Sequence, residues 1–501
     1  MNKPTLLLFA VFLFFTANIN AQDNQELRQG YTLKELINIA RRQSIASKQA
    51  ETTRENRYWF FQSYRSNYKP QLTLDGAIPG YNRTFSPVTQ PDGTVQFRPV
   101  QSNNSDINLS IRQDIAATGA RVVLNSGIAR FDNFLDEPDL NLERYHQYSG
   151  NPIELILIQP LFQYNRLKWD RRIEPLRYQE SQKEYFESLE EVSVFTTRLF
   201  FDLMLAQITL EIAAKNVANN DTIYKIEQGR YNLGRSAEND LLQLELQLMN
   251  SRQQEAQARL DIETSTLRLK RYVGLPDAAE LNLVLPQEIP EFIVDEETAL
   301  AFAKVNRSDI IGFERRKLEA DAEIARAKGQ TGPQADLFAR FGLTNSTMRD
   351  GSVGDIYNDP KDQQVVQLGF EIPILDWGRR KSQVKTAEAN QKFVQYTIDQ
   401  EEINFEETVL TQVRQFEMLK DQIKITRVAD DVAQRRYDIT KSRYNIGKID
   451  ITNMNIALNE KDAAKQNYIR SLEEYWLAYF NLRLLTLYDF ENNNQIISDE
   501  L

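Results

Sequence analysis

Two short stretches constrain this chain more than anything else in it: Arg230-Tyr-Asn-Leu-Gly-Arg235 and Arg443-Tyr-Asn-Ile-Gly-Lys448. They read almost identically and lie 213 residues apart. Each follows a second mark, Pro160 in Gln159-Pro-Leu-Phe162 and Pro373 in Ile372-Pro-Ile-Leu375, and the distance to the motif tyrosine is 71 residues in both cases. Two marks sharing one offset imply an internal duplication, so the fold of one half has to be available to the other. Between Pro160 and Gly229 there is one further proline, Pro175, and no glycine. Leu189, Val192, Phe195, Leu199, Leu203, Ala206, Leu210, Ala213 and Val217 recur there at steps of three and four. That pattern predicts a helix of roughly 105 Å at 1.5 Å per residue, far longer than the helices of ordinary globular domains.

The remaining segments fall into two parallel series. In the first repeat, 22–273, Leu33, Leu36, Ile37, Ala40 and Ile45 predict a helix over 32–68. It ends in an aromatic cluster, Tyr58-Trp-Phe-Phe61 with Tyr64 and Tyr68, that suits a core or a membrane–water interface equally. Over 70–162 the pattern changes to strands. Leu72 and Leu74 share a face, Ile107, Leu109 and Ile111 alternate with Asn108, Ser110 and Arg112, and polar loops lie at 86–93 and 136–139. After the long helix, a turn near 229–240 leads to a returning helix from Asp240 to Arg271. Gly274-Leu-Pro276 opens an inter-repeat linker, 274–296, read as a small separate layer. The second repeat, 297–488, replays the order: a helix to Lys328, strands over 334–375, a long helix capped by Asp376, a turn near 443–456, and a return from Ile451 to Tyr488. A polar tail, 489–501, is expected to be loosely ordered. We read four strands in the whole chain, with residues 106–131 either adding a hairpin to the sheet or folding at its mouth.

Composition narrows the setting. Lys3 followed by the apolar run Leu6 to Phe15 and by Ala21 predicts a secretory signal over 1–21, too short for a bilayer-spanning helix. The absence of cysteine excludes a disulfide framework, thiol catalysis and a lipidated cysteine. A single histidine, His146, leaves little basis for histidine metal or triad chemistry, and a net charge of −11 argues against nucleic acid. No catalytic, cofactor or metal site is expected.

An exported chain with strands but no membrane helix can cross a bilayer only in a closed barrel, because open strand edges leave backbone groups unpaired in lipid. One chain supplies too few strands to close a wide barrel, so an oligomer is expected. Aromatic and basic residues follow each marker proline, Tyr164, Arg166, Lys168 and Trp169 in one half and Trp377, Arg379, Arg380 and Lys381 in the other. Such residues suit the headgroup level, and we assign Trp59, Trp169 and Trp377 to the membrane interface.

The duplicated helix–strands–helix–turn–helix plan, the proline-marked strand ends and the Tyr-Asn-X-Gly turns resemble the TolC family of outer-membrane efflux and secretion channels, over roughly residues 30–488. The resemblance implies an α+β membrane protein, a homotrimer in which an outer-membrane β-barrel continues into a long α-helical barrel across the periplasm of a Gram-negative cell. It implies two partners, a periplasmic adaptor (membrane fusion protein) and an inner-membrane transporter, with outer-membrane lipid around the strands. The turns would be the periplasmic tips, with Tyr231, Gly234, Arg235, Gly447 and Lys448 meeting the adaptor. The family's tip latch falls on Asp240 and Tyr444, with Lys448 adjacent. A carboxylate accepting a phenol hydrogen bond can be broken by a modest shift. The family's acidic constriction falls on Asn453 and Ile456, and its arginine on Ile449, so no fixed negative charge is expected to focus cations there. The function expected is a passive exit duct of a tripartite efflux or type I secretion system, opened at its tips by the adaptor. The alternative is a soluble periplasmic coiled-coil scaffold; an acid/base hydrolase has no paired motif to support it.

Overall fold

Side-chain caps and glycine turns divide the chain into its long helices. In the computed structural model, residues 30–135, 143–276 and 281–496 are described; the expected signal segment and the 136–139 loop lie outside them. Thr32 and Glu35 form a capping box that starts helix α1 (Leu33–Gln43). The predicted 32–68 helix is broken at Ser44, whose extended backbone ends α1 and whose side chain accepts from Ser47 N to start α2 (Ile45–Ser66). Its counterpart in the second repeat is broken the same way at Arg307, between α5 (Glu296–Asn306) and α6 (Ser308–Thr331). Ser44 and Arg307 are 263 residues apart, the same offset that separates Pro70 from Pro333. The break is therefore a duplicated feature that apolar periodicity conceals.

The long elements match to the residue. Helices α3 (Arg166–Asn232) and α7 (Arg379–Asn445) each have 67 residues, and the returning helices α4 (Glu238–Val273) and α8 (Ile451–Thr486) each have 36. The N-cap position of α7 is Gly378, not Asp376, which lies two residues before it and accepts from the backbone N of Gly378 and of Arg380. The 18-residue window of α3 that is apolar enough by composition to cross a membrane is 56% buried within the fold, as a core helix would be.

One core lies where α1, α3, α4, α5, α7 and α8 come together, built on Leu36, Phe200, Leu203, Phe416, Leu472 and Tyr475. The inter-repeat stretch joins this core instead of standing apart. Tyr31 bridges Leu283, Leu281 and Val294 are buried, and the Tyr475 hydroxyl donates to the Pro290 carbonyl at 3.1 Å. The start of the tail is also tied down. Strands β8 (Tyr488–Asp489) and β9 (Asn494–Gln495) pair, Ile496 is buried, and Arg483 binds Asp489 at 2.6 Å, against the expected loose order.

Four strands are too few. A single antiparallel sheet holds β1 (Gln71–Ala77), β2 (Tyr81–Thr89), β3 (Val95–Ile115), β4 (Ala120–Asn133), β5 (Tyr145–Leu161), β6 (Gln334–Ser346) and β7 (Lys361–Glu371). The order is β1-β3-β4-β5-β6-β7, with β2 also paired to β3, so β1 and β2 share one lane along it. The 106–131 stretch is therefore a sheet hairpin. Register separates two faces. Leu72, Ile111, Leu124, Leu155 and Phe341 form one row, which ends on β7 at Gln364, and Thr73, Ser110, Asn125, Glu154, Gly342 and Gln363 form the next. The first face is apolar yet exposed, and the second is polar, with Arg340 on Glu154 at 3.2 Å.

Candidate functional site

The two Tyr-Asn-X-Gly turns close the helical hairpins at the end farthest from the sheet. Both hairpins are left at a glycine of positive φ, Gly234 at +65° and Gly447 at +71°, a conformation that a side chain would strain. The closing hydrogen bonds also match: Arg235 N donates to Arg230 O at 2.8 Å, and Lys448 N to Arg443 O at 3.0 Å. The helices that follow start differently. Ala237 offers no side-chain cap to α4, whereas its counterpart Asp450 accepts from Asn453 N at 2.8 Å.

The tips pack on each other through a small apolar cluster of Ile223, Leu244, Tyr444 and Met454, with Ile449 and Ile451 at its margin. The motif tyrosines thereby part company: Tyr444 is 6% exposed and its counterpart Tyr231 is 39% exposed. Below the cluster, polar pairs hold α3 to α8 and α7. Asn216 Nδ2 donates to Asp462 at 2.7 Å, and Lys441 donates to Asn219 Oδ1 at 3.2 Å.

The predicted latch is rearranged. No hydrogen bond joins Tyr444 to Asp240. Instead the Arg230 guanidinium lies 5.9 Å from the centre of the Tyr444 ring, and Arg230 pairs with the buried Glu227 at 3.2 Å. Burial pushes the Tyr444 phenol above its ordinary value, and the negative charges of Glu227 and Asp240 push the same way against Arg230. The phenol thus stays protonated, a donor near two carboxylates. Arg230 and Glu227 were missed in the sequence although Arg230 opens the motif itself, because a charged residue ending a helix reads as a solvated C-terminus.

Other predicted positions separate. Asn453 is the repeat counterpart of Asp240; it is exposed, and its amide and backbone N both bind the Asp450 carboxylate. Ile456 is 45% exposed on the next turn of α8. Arg235 and Lys448 are exposed and form no ion pair among the described residues. At the sheet end, Trp377 is 90% exposed and Trp59 60%, with the Trp59 ring nitrogen donating to Glu55. Trp169 is half-buried, with Arg172 5.4 Å from its ring. Phe162, 79% exposed beside the first marker proline, belongs with them and was not singled out from the sequence. Among the described residues no group of three acidic or histidine side chains is placed to hold a metal.

Comparison with known proteins follows the same division. The family model described as outer membrane efflux protein matches residues 100–275 and 303–486. Outer membrane protein TolC of Escherichia coli (strain K12) is 22% identical over 304 residues, 58% of this chain and 59% of that protein. The alignment thus spans less than two thirds of that relative. The Campylobacter jejuni CmeC outer membrane channel superposes with a TM-score of 0.64 at 15% identity, covering 94% of this chain and 89% of that one. The open state of the Neisseria gonorrhoeae MtrE outer membrane channel gives 0.59 at 14% identity over 91% and 88%. VceC of Vibrio cholerae gives 0.60 at 14% identity over 91% and 95%.

Proposed function

The chain belongs to the outer membrane efflux protein family, and from that premise we propose that it is a passive outer-membrane exit duct, not an enzyme, of a tripartite efflux or type I secretion system. The observation that carries this reading is the sheet. One face is apolar and exposed over its width, the other polar, and its strands run directly into helices of 67 residues, about 100 Å long at 1.5 Å per residue. Such a face suits outer-membrane lipid, and such helices suit the periplasm. A soluble coiled-coil scaffold would not expose Leu72, Leu74, Val366, Leu368 and Phe370 together.

A homotrimer is supported by what a single chain leaves bare. Ile425, Val432 and Ile439 repeat every seven residues along α7, with Val428 between them and Ile446 one step further at the C-cap, and all are more than half exposed. On α4, Leu242, Leu246, Met249 and Leu260 are similarly bare. Heptad stripes of this kind are partnered by another helix, here that of a second copy. The adaptor would dock at the turns through Tyr231, Gly234, Arg235, Gly447 and Lys448, an inner-membrane transporter would supply the energy, and nucleic acid has no role.

The gate would be the tip cluster, with Asn453 and Ile456 at an uncharged constriction. In planar bilayers Asp240→Ala raises the open fraction, and Arg230→Ala raises it further because it removes the group lying on Tyr444. Unchanged conductance in both variants would sink the gate; a monomer that purifies without detergent and never conducts would sink the duct.

A further inference from the structure

We propose that the membrane barrel of this protein is built from six strand lanes per copy, so that three copies form a barrel of about eighteen strands as wide as the helical duct beneath it. The inference rests on the trimeric duct proposed above and concerns the bore of its outer-membrane part.

Three observations place the β3–β4 hairpin in the wall and not at the mouth. First, β4 pairs with both neighbours along most of its length, and β3 pairs with β4 from Ser102 to Ile115 while its other edge pairs with β1 and β2. Second, the two-faced pattern enters the hairpin: Ile107, Leu109, Ile111 and Leu124 lie exposed on the apolar face, broken only by Ser126 beside a register shift at Asn125–Gly127, while Ser110 and Asn125 lie on the polar one. Third, its turn is anchored where strands become helices. Asn165 at the start of α3 donates to Ala116 O at 2.9 Å, Gln159 donates to Thr118 O at 3.0 Å, and Gln113 donates to Tyr68 O at 3.1 Å. The hairpin therefore runs the full height of the sheet and is wedged between the top of α2 and the top of α3.

The widths agree. Near the sheet the chain presents four helices side by side, α2, α3, α6 and α7, as it does near the tips with α4, α3, α8 and α7. Four helices at about 9–10 Å spacing cover an arc of roughly 38 Å. Six strands at about 4.8 Å, tilted by about 40°, cover roughly 38 Å as well, whereas four would cover only about 25 Å. Six lanes let the sheet continue the helical wall without tapering. An even number also leaves β1 and β7, the exposed edges, running in opposite directions, as antiparallel pairing with a second copy's edge requires. The tips, not the sheet, then limit the size of what leaves.

The chain has no cysteine, so single cysteines can be read cleanly. In the full-length protein in lipid vesicles, Asn125→Cys on β4 and Gln367→Cys on β7 are labelled by a hydrophilic maleimide, and Leu124→Cys and Leu368→Cys lose that labelling. Equal behaviour of Leu124→Cys and Asn125→Cys overturns the six-lane wall. If the β7 pair still alternates in that case, the duct itself stands; if all four label alike, the duct falls too. Electron microscopy of the unaltered chain in nanodiscs counts the strands: eighteen supports the proposal and twelve, with the hairpin outside the wall, overturns it.

Discussion

The two repeats keep one geometry and hold it with different chemistry. Their long helices are equal in length, and their contacts can be compared position by position. Where α2 meets α3, Phe61 stacks on Tyr178 at 4.5 Å with the rings nearly parallel, and Tyr58 lies 6.4 Å from the same ring. The counterparts of Tyr58 and Tyr178 in the second repeat are Asp321 and Gln391, which form a hydrogen bond of 2.6 Å. Around them Arg316 pairs with Glu401, Lys317 with Glu402 and Lys304 with Glu406. Aromatic packing in one repeat thus corresponds to an ionic ladder in the other. A duplicated chain needs the helix spacing preserved, and large rings or charged pairs can both preserve it.

The sharpest contrast is at Glu190. It is fully buried in α3 and bound by Arg41 and Arg483, each at 3.2 Å, while its counterpart on α7, Ile403, is 59% exposed. Glu190→Ala removes the buried carboxylate that Arg41 and Arg483 share, leaves Arg483 its pair with Asp489, and is expected to cost about 3 kcal/mol in chemical denaturation. Ile403→Ala is expected to leave the unfolding of the chain itself within about 0.5 kcal/mol of wild type. Similar losses at both positions would break the comparison.

The next effect distinguishes the two contact rows. Tyr178→Ala should cost about 1–2 kcal/mol, little changed by salt, because it removes stacked apolar area. Arg316→Ala should cost at most about 1 kcal/mol, and 1 M salt should abolish the difference, because its pair with Glu401 is partly exposed and screened. A salt-dependent loss for Tyr178→Ala would undo the distinction.

The smallest expected effect is confined to the clasp behind α8. Burial alone would raise the Asp489 pKa, but Arg483, the Asn492 amide and the backbone N–H groups of Glu491 and Asn492 outweigh it and hold the carboxyl below its ordinary value. A depressed carboxyl stabilises above the ordinary aspartate pKa of about 3.9 and loses that contribution as pH falls through its lower folded value. Limited proteolysis should therefore find the 487–496 segment protected at pH 5 and released only in stronger acid. Release already at pH 5 would show that the clasp does not hold Asp489 charged.

Much of this architecture was legible in the sequence. The shared offset, the scarcity of glycine and proline between marks, and the glycine turns determined two hairpins of equal length, since helix periodicity and positive-φ turns are local properties of the chain. What was misread is non-local. Alternating residues at 107–111 and 122–128 could not say whether they paired within the wall, because pairing depends on strands far apart in the chain. Nor could two nearly identical motifs show that Tyr444 is buried against Ile223 and Leu244 while Tyr231 stays at the surface, or that Arg230, not Asp240, lies on the phenol. By itself the sequence determined the duplication, the helix lengths and the turns. The tertiary structure decided the number of lanes in the sheet and the inequality of the two tips, because packing brings each copy of a repeated segment against different neighbours.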